Sequence, residues 1–188
     1  MKTIEKEKVC SVEHAGMLDL KIRKLIHNPG KIVKRYINEG MTVIDIGCGP
    51  GFFTIEMAKL VGNNGKVVAA DLQEGMLEIL KKKIENTNLK DRIELHKCPQ
   101  DKIGITKESD FILLFYMLHE VPDPSAFLLE LFSLLKPEGK ILIVEPKFHV
   151  SKKNFCNSLE MMKTIGFNVI NGPKIFFSRS ALINKKKK

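Results

Sequence analysis

MTVIDIGCGPGFF, residues 41–53, joins a β-branched apolar run to three glycines at alternate positions. Thr42–Ile46 reads as a strand buried on both faces, because branched side chains fill a pleated, covered surface. Asp45 stands one place before its end. Gly47, Gly49 and Gly51 then turn the chain, and Phe52–Leu60 reads as a helix packed on the sheet. A second strand, Lys66–Ala70, is followed by Asp71. A glycine turn after one strand, with an acid at the tip of the next, describes a nucleotide-like cofactor site on a parallel sheet.

Outward from this motif, strand and helix alternate. Apolar spacing predicts helices over 14–27, 31–38 and 74–88. Strands are expected at Arg92–His96, Asp110–Phe115 and Lys140–Val144. Between the last two, Pro124 and the cap Asp123 open a helix over Ser125–Leu135, and 136–139 form a turn. Ser151–Ile165 reads as a helix closed by Gly166. Phe167–Ile170 and Ile175–Ile183 read as a closing antiparallel pair. Such alternation is the βαβ signature, with right-handed crossovers. One domain is expected over 1–188, with 1–38 as an N-terminal helical cap and 184–188 as a flexible basic tail.

Composition agrees with a single packed core: 188 residues, 44% hydrophobic and 28% charged. Every apolar run is too short to span a bilayer, so no membrane insertion is expected. The first ten residues lack the apolar segment of a secretory signal, which makes cytoplasm the expected compartment. Cysteines 10, 48, 98 and 156 match no zinc or redox spacing and read as free thiols. His14, His27 and His96 show no ligand spacing, and no metal is expected. The net charge is +9, and the last four residues, all lysine, supply four of it. The other lysines read as dispersed solubilising charge without an aromatic-interleaved patch, so a nucleic-acid partner is not favoured.

The glycine turn departs from a dinucleotide fingerprint. Phe52 stands where the third glycine would permit close helix packing. Pro50 has no N–H to offer a pyrophosphate. Asp45 would repel phosphates and attract a cation. A P-loop is excluded, since no Gly-Lys-Ser/Thr follows. An adenosine cofactor carrying an ammonium or sulfonium fits better.

MTVIDIGCGPGFFTIEM at 41–57 and VVAADLQEGML at 67–77 closely resemble the first two motifs of class I S-adenosylmethionine-dependent methyltransferases. DFILLFYMLHEVPDP at 110–124 and LLKPEGKILIVEP at 134–146 extend the resemblance to about residues 28–180. The chain looks most like the small-molecule branch that holds ubiquinone/menaquinone-biosynthesis and arsenite methyltransferases. The resemblance implies an α/β, Rossmann-like three-layer sandwich. Its sheet would have seven mostly parallel strands in the order 3-2-1-4-5-7-6, with strand seven antiparallel. It implies an enzyme that uses S-adenosyl-L-methionine to methylate O, N or C of a small molecule.

By position, the resemblance puts Gly47, Cys48 and Gly49 against the methionine part of the cofactor, with Asp45 facing its amino group. Asp71 would hold the ribose hydroxyls and Leu72 would lie against adenine. Phe115 and Tyr116 would border the methyl. Relatives often carry an adenine-binding aspartate where this chain has Pro99, so Gln100, Asp101 or the backbone is expected to substitute.

Methyl transfer from a sulfonium needs alignment and dryness, and needs a base only for an acceptor that holds its proton. His119 is the expected base, with Glu120 as its orienter, and Tyr116 the expected substrate contact. Glu145, Lys147 and His149 lie at the same rim. Arsenite chemistry would need converging cysteines, and no convergence is expected. An RNA or protein methyltransferase is the alternative, disfavoured because no Asn/Asp-Pro-Pro-aromatic motif follows strand four. A non-catalytic binding protein is disfavoured by the intact Asp45, Gly47, Gly49 and Asp71. A nicotinamide oxidoreductase is disfavoured by Phe52 and Asp45. None of these motifs names the acceptor or the oligomeric state.

Overall fold

Successive residues of a buried strand point to opposite faces, so an unbroken apolar run makes two cores at once. The computed structural model, which describes residues 27–186, shows this in β1 (Thr42–Ile46). Val43 enters one apolar cluster, while Ile44 and Ile46 enter the other. β2 (Lys66–Asp71), β3 (Ile93–Lys97), β4 (Ser109–Phe115) and β5 (Leu135–Pro146) continue the sheet, and β6 (Phe167–Asn171) and β7 (Ser178–Lys185) close it. The order is β3-β2-β1-β4-β5-β7-β6. β7 runs antiparallel to both β5 and β6, while β1 to β5 pair in parallel. The expected architecture therefore holds.

Helices cover both faces. α1 (Pro29–Val33), α2 (Thr54–Val61) and α3 (Glu74–Ile84) pack with Val43, Val67, Phe111 and Leu142. α4 (Pro124–Leu134) and α5 (Lys152–Ile165) cover Ile44, Ile112, Ile141 and Ile143. The expected caps form. Asp123 accepts from the Ser125 and Ala126 N–H groups, Ser151 accepts from the Asn154 N–H, and Gly166 ends α5 at φ 118°.

Four segments differ from expectation. The helix expected over 31–38 is Pro29–Val33 instead, started by Asn28, whose side chain accepts from the Lys31 N–H, and by Pro29 in its first turn. Residues 136–139 belong to β5, because Leu135 already pairs with Ser109 across a bulge and Lys136 Nζ binds both Asp110 oxygens. β7 begins at Ser178, because Phe177 takes a left-handed φ of 50° that breaks the extended chain before it. At its far end β7 reaches Lys185, and the Lys186 N–H donates to the Gly166 carbonyl, so 184–186 are held by the sheet. All but the last residue of the helix expected over 14–27 lies outside the described residues, as does most of the 1–38 cap and the end of the tail. Among the described residues no helix is long and apolar enough to cross a membrane.

Candidate active site

The C-terminal ends of β1, β2 and β4 meet at one edge of the sheet, where ligands of open α/β folds bind. The chain leaving β1 is latched to β2 first by backbone. Gly47 and Cys48 N–H groups both donate to the Ala70 carbonyl, at 2.9 and 3.1 Å. The glycines then differ in purpose. A Cβ on Gly51 (φ 89°) would collide with Leu80 in the core, whereas one on Gly49 (φ 53°) would meet nothing within 4 Å. Gly51 serves packing, and Gly49 leaves open space in front of the turn.

Asp71 joins this turn. Its Oδ2 accepts from the Gly49 N–H at 2.8 Å and its Oδ1 from the Gln73 N–H at 2.9 Å. Burial raises its pKa, and the backbone donors of Gln73, Gly49 and Leu72 oppose that rise. Asp45 is 3% exposed and accepts from Thr54 Oγ1 at 2.6 Å, tying β1 to the start of α2. Phe52 and Phe53 are buried, with Phe53 against the Phe115 ring at 4.4 Å. Phe52 thus fills the space that a third glycine would have left.

In front lies a cavity of about 990 Å³. Asp45, Gly47, Cys48 and Gly49 form its turn side. Asp71, Leu72, Gln100 and Asp101 line one flank, together with Pro99. Phe115 and Tyr116 line the side at the end of β4. All nine residues expected to hold the cofactor therefore share one cavity. Cys98 lines it too, so Cys48 and Cys98 converge, against the expectation from their spacing. Burial pushes both thiols up, Cys98 to about 12, and they are protonated at neutral pH.

The two residues expected to do chemistry are placed differently. Tyr116 sits at φ 61°, unusual for a bulky residue. Its hydroxyl is 2.6 Å from Ser178 Oγ and 3.2 Å from His27 Nε2. Ser178 in turn donates to the Phe176 carbonyl. The ring of Tyr116 borders the cavity while its hydroxyl is held at the β7 side.

His119 is not among the residues lining the cavity. Its Nδ1 is 2.5 Å from Glu145 Oε2, and its other neighbour is the His149 ring at 5.7 Å. Glu145 is 2% exposed and its Oε1 accepts from the Leu118 N–H at 3.0 Å. The hydrogen bond that the His119 ring donates to the Glu145 carboxylate raises the His119 pKa, against the effect of burial. Glu145, not Glu120, is therefore the orienter of His119.

Glu120 faces the cavity instead. Both belong to the 3₁₀ turn Leu118–Glu120, where neighbours are about 120° apart and point to different sides. Burial pushes the Glu120 carboxyl up to about 7, helped by Glu145 and Asp71 and opposed by His119. The orienting place expected of this carboxyl is held by Glu145. The period of a 3₁₀ turn was the signal that separates Glu120 from His119.

A family model described as a methyltransferase domain matches residues 37–187. A demethylmenaquinone methyltransferase from Lactobacillus johnsonii is 35% identical over 113 residues, 60% of this chain and 46% of that protein. The match thus spans less than half the length of that relative. A SAM-dependent methyltransferase structure from Aquifex aeolicus is 28% identical, with TM-score 0.81 over 93% of this chain and 98% of that one. A structure described as a putative S-adenosyl-L-methionine-dependent methyltransferase, from Methanococcus maripaludis, shares the fold at 23% identity. Its TM-score is 0.75 over 100% of this chain and 98% of that one.

Proposed function

The chain belongs to the methyltransferase-domain family, with S-adenosylmethionine as its methyl donor, and on that premise we propose that it methylates a small, proton-bearing acceptor held beside Glu120. One observation carries the reading. The glycine turn, Asp71 and Glu120 open on the same cavity, which at about 990 Å³ suits a cofactor and an acceptor together.

The residues fit the cofactor. Open space before Gly49 admits a ligand against the backbone. The Asp71 oxygens accept from backbone N–H groups, Gly49 on Oδ2 and Gln73 on Oδ1, and a carboxylate keeps lone-pair capacity for ribose hydroxyls. Asp45 favours the ammonium end, Leu72 covers adenine, and Gln100 and Asp101 stand where Pro99 leaves the adenine edge without a carboxylate. When bound, the cofactor supplies an electrophilic methyl on a sulfonium.

Phe115 and the Tyr116 ring exclude water from the transfer and orient the acceptor. Glu120 takes or shares the acceptor's proton at its carboxylate. His119, fixed by Glu145, positions the turn that carries Glu120. The relative named for demethylmenaquinone favours an acceptor with a quinone-type ring, whose reduced form carries hydroxyl groups. We place the reaction in the cytoplasm, on a single domain.

Calorimetry tests the premise first. S-adenosylhomocysteine should bind one to one, and no binding would overturn the reading. Turnover with a hydroxylated ring should then rise as pH passes through about 7, where Glu120 loses its proton.

A further inference from the structure

Among the described residues, the most exposed large apolar side chains are Phe148 at 71%, Phe176 at 62% and Phe177 at 60%. They stand on the two loops that leave β5 and enter β7. The loops are joined, since the Lys147 N–H donates to the Phe177 carbonyl at 3.0 Å. The Phe176 and Phe177 rings are 5.1 Å apart, and a shallow groove beside them is lined by Lys147, Lys174 and Ile175. Phe177 holds an aromatic ring outward from a left-handed backbone, a conformation that costs a bulky residue energy.

The charge around this patch is of one sign. Lys147 and Lys174 line the groove, and the chain on either side of the rings, residues 146–159 and 167–184, adds Lys152, Lys153 and Arg179 with no Asp or Glu. Over residues 1–145, Lys and Arg equal Asp and Glu in number, so the whole excess of +9 lies beyond them. The lysines remain dispersed along the chain, and the imbalance arises because acids become scarce beyond residue 145 and the last four residues are lysine. Three protruding rings with Lys147 and Lys174 beside them are what an anionic bilayer interface selects: rings enter the acyl boundary and ammonium groups meet the headgroups. A single-stranded RNA site would instead line a charged channel with its rings.

We propose that this face docks the protein on an anionic lipid surface. The patch adjoins the cavity. Phe176 accepts a hydrogen bond from His27 Nε2, and Ser178 holds the hydroxyl of Tyr116. If the proposed methyl transfer also holds, a lipophilic acceptor would leave the bilayer next to that wall. Docking itself does not depend on that reaction.

The test is sedimentation of the full-length protein with large unilamellar vesicles. Binding to equimolar phosphatidylglycerol–phosphatidylcholine is expected, falling about tenfold or more on pure phosphatidylcholine or in about 0.5 M salt. Replacing all three rings, Phe148→Ser, Phe176→Ser and Phe177→Ser, should weaken binding about a hundredfold. The same variant should keep its affinity for S-adenosylhomocysteine, which separates failed docking from failed folding or failed cofactor binding. Lys147→Glu with Lys174→Glu should weaken binding through charge alone. No binding to anionic vesicles, or binding that neither variant changes, would overturn the proposal. So would retention of poly(U) RNA, or a dimer, that the ring variant abolishes while vesicles are ignored.

Discussion

The glycine-turn wall of the cavity and the wall formed by Tyr116, Glu120 and their supports differ in what holds them. The first is held mainly by backbone groups of neighbouring strands, with the Gly47 and Cys48 N–H groups on the Ala70 carbonyl, and one side chain, the Asp71 carboxylate, accepting from the Gly49 N–H. The second is a network of side chains from distant segments. Tyr116 reaches Ser178 and His27, and His119 reaches Glu145. A wall of backbone is sensitive to where a Cβ stands. A wall of titratable side chains is sensitive to pH. The first should therefore yield to steric substitutions and the second to changes of protonation.

The largest effect is expected at Gly51. Gly51→Val adds a clash with Leu80 to a disfavoured φ of 89°. Overpacking costs about 1–3 kcal/mol and the left-handed backbone about 1–2 more, so unfolding in urea should show a loss of about 2–5 kcal/mol. Gly49→Ala meets open space and should cost about 1–2 kcal/mol, through φ alone. Its main effect should be on cofactor binding, because the new methyl enters the cavity. Equal losses of stability at the two positions would break the division between packing and open space.

Next come two carboxyls on opposite walls. Asp71→Ala leaves the Gly49 and Gln73 N–H groups without their acceptor and removes the ribose contact. A charged hydrogen bond is worth about 1.5–3 kcal/mol, so affinity for S-adenosylhomocysteine should fall about a hundredfold. Glu120→Gln should leave that affinity nearly unchanged. Its turnover should drop by about a hundredfold, and the limb of the pH profile near 7 should disappear. A Glu120→Gln enzyme with the wild-type pH profile would remove Glu120 from the proton transfer.

The same contrast governs what could be read from the chain. The glycine turn lies within residues 41–53, and its cofactor preference followed from Asp45, Pro50 and Phe52, all inside one motif. The sheet order came from resemblance, and strand limits followed from apolar runs. The acceptor wall was not legible in the same way. Tyr116 was marked as a substrate contact, yet its hydroxyl is held by Ser178, 62 residues away. His119 and Glu120 were both seen, but their roles depend on which one a 3₁₀ turn aims at the cavity. Cys48 follows β1 and Cys98 follows β3, and they meet because β2 lies between those strands and takes both N–H groups, on its Ala70 and Asp71 carbonyls, a fact their spacing does not carry. The bulge that starts β5 depends on Asp110 meeting Lys136, again a pairing between strands.

The smallest effect, and the finest test of the comparison, is the pH dependence of stability. Two groups on the acceptor wall bind protons more tightly in the folded state, and both make stability fall as pH rises. For Glu120, ordinary at 4.5 and raised to about 7, the loss runs between those values. For His119, also raised, the contribution is full below its ordinary 6.5 and is lost as pH climbs through the folded value. The two windows adjoin, so thermal melts from pH 4 to 9 should show a long decline. His119→Gln should flatten the part above 6.5 and leave the acid part intact. Its cost at pH 6 should be only about 0.5 kcal/mol, because water reaching the 25% exposed imidazole screens its bond to Glu145. Glu120→Gln should do the reverse, flattening the acid part alone. If His119→Gln melted in parallel with the wild type above pH 6.5, the ion pair with Glu145 would not be what holds this wall. Its rigidity would then rest on the buried carboxylate and the Leu118 N–H, and the acceptor wall too would be fixed by backbone.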